Sequence, residues 1–351
     1  MNVLKFHQGS KKLTVIAVLA IFFAFTRFGD NQVSSWQQMK SLGVSSRRFV
    51  AAGFSIGNKG YVGIGLIGDE QRKDFWEYDP VANTWAQKAD FGGGKRNAAV
   101  SFSIGSKGYV GTGIDGDSME EKNDFWEFDP IKNTWTKKAD FPGAPRLVAT
   151  GFSIGSKGYI GNGRTENFLV YFNDFWEYDP VRNIWIQKSD FGGAARYATT
   201  NFVIGNKAYV GMGTEREVSE FHFDKDFWQY DPQTNAWTRK SDFAGNAREL
   251  ATAFTIGTKA YLGTGFNGND LKDFWQYDPL KDSWLRLDDF AGGERYAGIS
   301  FSINNYGYVG MGMSDVREKS DLWKFTPNNL INRAETSRVS PSKSKKVIIN
   351  Y

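Results

Sequence analysis

Twelve tryptophans occur in this 351-residue chain, and all of them fall into one sixfold pattern. Six lie in the motif Asp-Phe-Trp or its variant Asp-Leu-Trp: Trp76, Trp126, Trp176, Trp228, Trp275 and Trp323. The other six follow a turn, as in Asn-Thr-Trp: Trp36, Trp85, Trp135, Trp185, Trp237 and Trp284. The second series begins one unit early, at Trp36, and none of it follows Trp323. Self-similarity at a period of roughly 20–50 residues marks repeat architectures. The offset says more. It fits a closed ring whose last unit is completed by the N-terminal strand.

An arginine opens each unit: Arg48, Arg96, Arg146, Arg196, Arg248 and Arg295, in steps of 48, 50, 50, 52 and 47 residues. The second unit is representative. Val100, Phe102 and Ile104 alternate with polar residues, the period-2 pattern of a strand over Ala99–Ile104. A Gly-Ser-Lys turn leads to a second strand, Tyr109–Gly113, and a polar loop to a third, Phe125–Phe128. Asp-Pro-x-x-Asn then makes a turn, because Pro presets φ while Asp and Asn bond their own backbone. A fourth strand starts at Trp135. Aromatics on both faces of the third strand predict a sheet covered on both sides. Lysines and arginines along the fourth mark it as the outer edge, where charge discourages aggregation. No run shows helical periodicity.

These residues resemble the kelch repeat: an arginine before the first strand, Tyr-x-Gly-x-Gly, Tyr-Asp-Pro and Asn-Thr-Trp at a period near 50. The resemblance covers residues 34–327. It departs at one place, since kelch units usually carry adjacent glycines after the second strand, and here the pair is split, as in Gly111-x-Gly113. The resemblance implies an all-β, six-bladed β-propeller of four-stranded antiparallel blades, closed by the strand at Trp36.

The ends differ from the repeats. Lys5, Lys11 and Lys12 precede an apolar run, Leu13–Phe25. That run is short for a bilayer span but suits the core of a signal peptide. Residues 1–26 therefore read as a signal peptide or an N-terminal anchor, and the expected location is the periplasm, the cell envelope or outside the cell. Membrane contact is expected only through this segment, if uncleaved. Residues 328–351 form a basic tail, with Arg333, Arg338, Lys343, Lys345 and Lys346 against Glu335. Three lysines at one end and a net four positive charges at the other leave the propeller at about −3 from a formal total of +4. A nucleic-acid partner loses its support. With no cysteine there is no disulfide, thiolate site or cysteine nucleophile.

In such a meander the loops from second to third strand and from fourth to the next first strand share one face. These loops vary, and function on a rigid scaffold concentrates in variable loops. The six arginines enter at that face, so Arg48, Arg96, Arg146, Arg196, Arg248 and Arg295 are candidate ligand-binding residues, a ring suited to carboxylates of an acidic sugar or acidic peptide. The competing reading is structural, each guanidinium pairing with an aspartate six residues earlier (Asp90, Asp140, Asp190, Asp242 and Asp289 in five units). Glu215, Glu217 and His222, grouped in the fourth loop, are weak candidates for acid–base catalysis, and a solvated charged loop is the preferred reading of them. The third loop, with Arg164, Glu166, Phe168, Tyr171 and Phe172, is aromatic enough to stack on a sugar ring. Asp115, Asp117, Glu120 and Glu121 match no known calcium loop. No metal site and no cofactor is expected.

Kelch propellers include copper radical oxidases similar to galactose oxidase. That chemistry needs two histidines and a tyrosine joined to cysteine, which this inventory lacks. The main expectation is an exported propeller acting as a binding or scaffold module for a protein or carbohydrate. The alternative is a carbohydrate enzyme, since exported kelch propellers include sialic-acid mutarotases with a similar repeat. Arg196 or Arg248 with Glu215 or Glu217 would then supply the carboxylate site and the acid–base group. A cytoplasmic adaptor for acidic peptides is a third reading, disfavoured by the N-terminal run.

Overall fold

The computed structural model describes residues 35–216, 221–315 and 317–327. The N-terminal segment 1–26, the tail 328–351 and Glu217 lie outside the described residues. Strands a to d of blade 1 are Ala52–Ile56, Lys59–Gly63, Phe75–Asp79 and Thr84–Lys88. Blades 2 to 5 repeat this at Val100–Ile104, Thr150–Ile154, Thr200–Ile204 and Thr252–Ile256 for strand a. Blade 6 takes a, b and c from Ile299–Ile303, Tyr306–Gly310 and Leu322–Thr326. Its outer strand is Ser35–Met39, which pairs antiparallel with c in the register Trp36 to Phe325. All six blades are four-stranded antiparallel sheets in the order a-b-c-d. Among the described residues no helix is long and apolar enough to cross a membrane.

The core lies between blades. Phe54, Tyr61 and Phe75 of blade 1 pack with Val110 and Phe128 of blade 2. Large rings fill the wedge that opens outward between sheets. The tryptophan of strand d seals this wedge. Trp135 stands edge-on to Phe75 and Phe91 of the preceding blade, each at 5.0 Å, and its Nε1–H donates to the Ala89 carbonyl at 3.2 Å. Trp36 occupies the equivalent place, 5.0 Å from Phe274 and 4.7 Å from Phe290. The closing strand thus inserts the same side chain into the same seam.

Two circles of backbone hydrogen bonds run round the mouth of the axis. Val50, Ala98, Val148, Ala198, Leu250 and Ala297 each donate N–H to the carbonyl of the preceding member, and Val50 donates to Ala297 at 3.2 Å, closing the circle. All six have positive φ, between 44 and 54°, a conformation costly for residues with a Cβ. The second circle explains the split glycines. Gly113 N–H donates to the Arg146 carbonyl at 2.8 Å, and the same bond recurs in every blade, ending with Gly312 to Arg48 at 2.8 Å. At Gly113 φ is 83°, and a Cβ would meet the Asn97 carbonyl oxygen at 2.3 Å. Only glycine fits there.

The six repeat arginines are buried inside the blades. Arg48 donates to Asp74 through Nη1 at 3.1 Å and Nη2 at 2.7 Å, and to the Ile64 carbonyl at 3.1 Å. Asp74 also accepts the Trp76 indole N–H at 2.6 Å. The pairs Arg96–Asp124, Arg146–Asp174, Arg196–Asp226, Arg248–Asp273 and Arg295–Asp321 repeat this fork. The partner is thus the aspartate that opens each Asp-Phe-Trp or Asp-Leu-Trp motif, not the one six residues upstream. Asp90, Asp140 and Asp242 instead pair with Lys73, Lys137 and Arg239 at the surface, and Asp289 with Arg286.

Each arginine fork joins the loop before strand a, the end of strand b and the start of strand c. Arg146→Lys is expected to cost about 2–4 kcal/mol by urea denaturation, because lysine cannot reproduce the fork and leaves a buried carboxylate partly unpaired. Burial alone would raise the carboxyls of Asp74, Asp273 and Asp321, but the arginine bonds and charges outweigh it and hold them below the usual range. A folded pKa below the unfolded value of about 3.9 means stabilisation that is complete well above pH 4 and lost as pH falls through the folded values. Acid unfolding should therefore begin below about pH 4 and move to higher pH in Arg48→Lys. Trp36→Ala should destabilise by about 3 kcal/mol, like Trp135→Ala; a loss within 0.5 kcal/mol of zero, roughly the scatter of surface substitutions, would contradict closure through this strand.

Candidate functional site

A cavity of about 540 Å³ opens on the face of the b–c and d–a loops, within the usual size for a small-molecule site. Two positions of the repeat supply much of its wall. The residue after each repeat arginine pairs with the residue after the split glycines: Phe49 with Leu66, Leu147 with Arg164, Glu249 with Phe266, Tyr296 with Met313, Asn97 with Ile114 and Tyr197 with Thr214. Blades 1 and 2 contribute mainly apolar side chains, Phe49, Leu66 and Ile114. Blades 3 to 5 contribute Arg164, Tyr197 and Glu249. A second, smaller cavity of about 140 Å³ adjoins it and is lined by residues such as Ala98, Val148 and Ala198.

Arg164 differs from the repeat arginines. It is buried, 8% exposed, yet among the described residues no carboxylate lies within salt-bridge distance of its guanidinium. Its Nη1 donates to the carbonyls of Thr165 at 2.8 Å and Glu166 at 3.1 Å, and its buried Nε has no hydrogen-bond partner. The group lies between aromatic rings, its Cζ 3.4 Å from the centre of Phe168 and 4.9 Å from that of Tyr197. Cation–π contact offsets part of the cost of burial. Burial still lowers its pKa from the ordinary arginine value.

Glu249 stands on the same wall. Thr214 donates its hydroxyl to the Glu249 Oε2 at 2.7 Å. Burial raises the Glu249 pKa above the ordinary carboxylate range, although Thr214, Arg164 and Tyr197 all act against the shift. Tyr197 is raised as well, by burial first and then by the negative charge of Glu249. The cavity thus holds a cation short of a counter-charge, a carboxyl disposed to keep its proton, and aromatic faces.

The sequence-based candidates are placed elsewhere. Arg48, Arg96, Arg146, Arg196, Arg248 and Arg295 are at most 2% exposed and donate to aspartates and carbonyls within the blades, so they do not form a ring facing the cavity. Glu215 and His222 face each other across a small hairpin and do not line the cavity. With Asp224 they form a cluster whose ligand atoms lie within 4.8 Å of one another. Arg196 is 3.3 Å from Asp224 and 3.9 Å from Glu215, so a guanidinium already supplies the positive charge a metal would bring. Asp224 is pushed up to about 6 by burial, which Arg196 opposes. The acidic run in blade 2 is spent on local bonds: Asp115 accepts from the backbone of Asp117 and Ser118, and Glu121 from Glu166. In the third loop the expected aromatic character holds, with Phe168 and Tyr171 both near Tyr197. Sequence reasoning missed Glu249. The signal was available, for it is the only acidic residue among the six that follow the repeat arginines.

No known family profile matches the chain, and no curated protein does so. Among solved structures, one titled "Structure of YjhT" superposes with a TM-score of 0.69 at 17% identity, covering 81% of this chain and 95% of that one. At that identity the likeness establishes the fold, a multi-sheet all-β propeller similar to the kelch type.

Proposed function

We propose that the loop-face cavity binds a carboxylate-bearing sugar and catalyses its mutarotation. The observation that carries this reading is Arg164, a buried guanidinium lacking a carboxylate within 4 Å among the described residues, set in a cavity with Glu249. A ligand carboxylate would supply the missing counter-charge, and arginine binds carboxylates through two parallel hydrogen bonds. Phe168 and Tyr197 offer faces for a sugar ring. The alternative drawn from the kelch resemblance, a sialic-acid mutarotase, is thereby kept, but its working residues become Arg164 and Glu249 in place of Arg196 or Arg248 with Glu215 or Glu217.

Mutarotation asks little of a protein. The anomeric hydroxyl loses its proton, the bond from the anomeric carbon to the ring oxygen breaks, and that oxygen gains a proton. The exposed carbonyl rotates and the ring closes by the reverse steps. Glu249 in its neutral form donates to the ring oxygen, while solvent in the open cavity takes the anomeric proton. A carboxyl raised by burial keeps its proton to higher pH than an exposed glutamate, which favours that donation. We propose export for the same chain, on the strength of the lysines and apolar run in residues 1–26.

A binding role without catalysis is the second reading, favoured by aliphatic side chains at the rim: Met119 is 64% and Leu169 66% exposed, more than a small sugar needs. One experiment separates the two. Anomer equilibration of a sialic acid, followed by proton NMR, should accelerate with the wild-type protein. Glu249→Gln should remove most of the acceleration, about 100-fold or more, while ligand-induced thermal shift persists. The wild-type acceleration should decline as pH rises through the elevated Glu249 pKa. Arg164→Met should abolish the thermal shift yet leave the intrinsic melting temperature unchanged or raised, since it removes an uncompensated buried charge. A thermal shift without acceleration supports a sugar-binding module; neither effect with any acidic sugar refutes both sugar readings and leaves a protein-binding role.

A further inference from the structure

We infer that the face opposite the cavity docks on a lipid surface carrying anionic headgroups. The c–d turns project from that face, each built on Asp-Pro-x-x-Asn or Asp-Pro-x-x-Asp. The x after proline is Val81 in blade 1, Ile131 in blade 2, Val181 in blade 3 and Leu280 in blade 5, exposed by 88, 90, 89 and 91%. Among the described residues these are the four most exposed large hydrophobic side chains. Local folding does not require them. The turn is held by Asp79 accepting from the Val81 and Ala82 amides and by its counterparts, and blade 4 places an exposed Gln233 at the same position.

The repeat sets the equivalent tips at matching heights round one rim, separated by the width of a blade. Four separated aliphatic tips make no single pocket for a protein side chain, but a flat surface meets them together. Basic residues follow three of them, Lys132, Arg182 and Lys281. Among the described residues Lys132 and Lys281 have no ion pair, whereas the lysines of the neighbouring a–b turns are paired, as in Lys107–Asp129 at 2.6 Å. Apolar tips beside uncommitted cations are the composition of an interfacial contact with anionic lipid.

Where the chain joins the propeller gives a separate argument. Strand d of blade 6 starts at Ser35, opposite Thr326 at the end of strand c. Residues before 35 and after 327 therefore connect at this same face. The first set contains the apolar run Leu13–Phe25, and the second carries Arg333, Arg338, Lys343, Lys345 and Lys346. One flank of the sequence is apolar and the other basic, and the described chain leads to them from Ser35 and Thr326, both on the face of the aliphatic tips.

The chain has no cysteine, so one introduced cysteine gives a unique labelling site. Full-length Ile131→Cys and, on the cavity face, Asp117→Cys would each carry an environment-sensitive fluorophore. Vesicles of phosphatidylcholine, with or without phosphatidylglycerol, are then added. The expected result is a blue shift at position 131 with the anionic vesicles, little with phosphatidylcholine alone, and none at 117. Adding Val81→Gln, Val181→Gln and Leu280→Gln to the 131-labelled protein should weaken the response about tenfold or more. Vesicle capture with position 131 as wet as 117 would overturn the proposal, because the N-terminal segment would then act alone. A 131 signal that rises with protein concentration without vesicles would also overturn it, in favour of a second copy on this face.

Discussion

The arginine fork is the interaction on which the rest depends. In each blade one guanidinium reaches the aspartate before strand c and the carbonyl at the end of strand b, while the aspartate also receives the tryptophan N–H. The arginine's own carbonyl accepts from the glycine of the preceding blade. One residue therefore fixes the interior of its sheet and the joint to the preceding one. A buried ion pair of this kind adds little net stability over an apolar substitute, but breaking it is costly. Its use here is geometric, since it holds six loop entrances at one height around the axis.

Much of the fold was legible because repetition amplifies weak signals. The tryptophan offset at Trp36 located the closure, and the pairing of Trp36 with Phe325 matches it. The arginine partners were misread for a physical reason. Asp90 is near Arg96 in sequence, but the chain between them turns away, and the fork reaches Asp124, 28 residues on. A short separation in sequence is a poor guide inside a β-meander, where contacts join strands separated by whole loops.

The candidate site was less legible because it is made of departures from the repeat. Glu249 and Tyr197 follow repeat arginines, and Arg164 and Thr214 follow repeat glycines. Eight of the twelve such positions line the same cavity, so the scaffold is common and the chemistry lies in which side chains differ. Charge alone drew attention to Glu215 and His222, which sit on a hairpin outside the cavity. The six arginines drew attention by recurrence, and recurrence is the mark of a scaffold. On the opposite face the same logic applies to the turn tips, where Gln233 interrupts a series of aliphatic residues.

The central claim is a division of labour between six arginines that build the ring and one, Arg164, that meets a ligand. Arginine side-chain Nε–H resonances of the labelled protein, recorded by NMR during titration with a sialic acid, test it most directly. The account predicts that the Arg164 signal moves while those of Arg48, Arg96, Arg146, Arg196, Arg248 and Arg295 stay in place. Movement of the repeat arginines with Arg164 unchanged would contradict it.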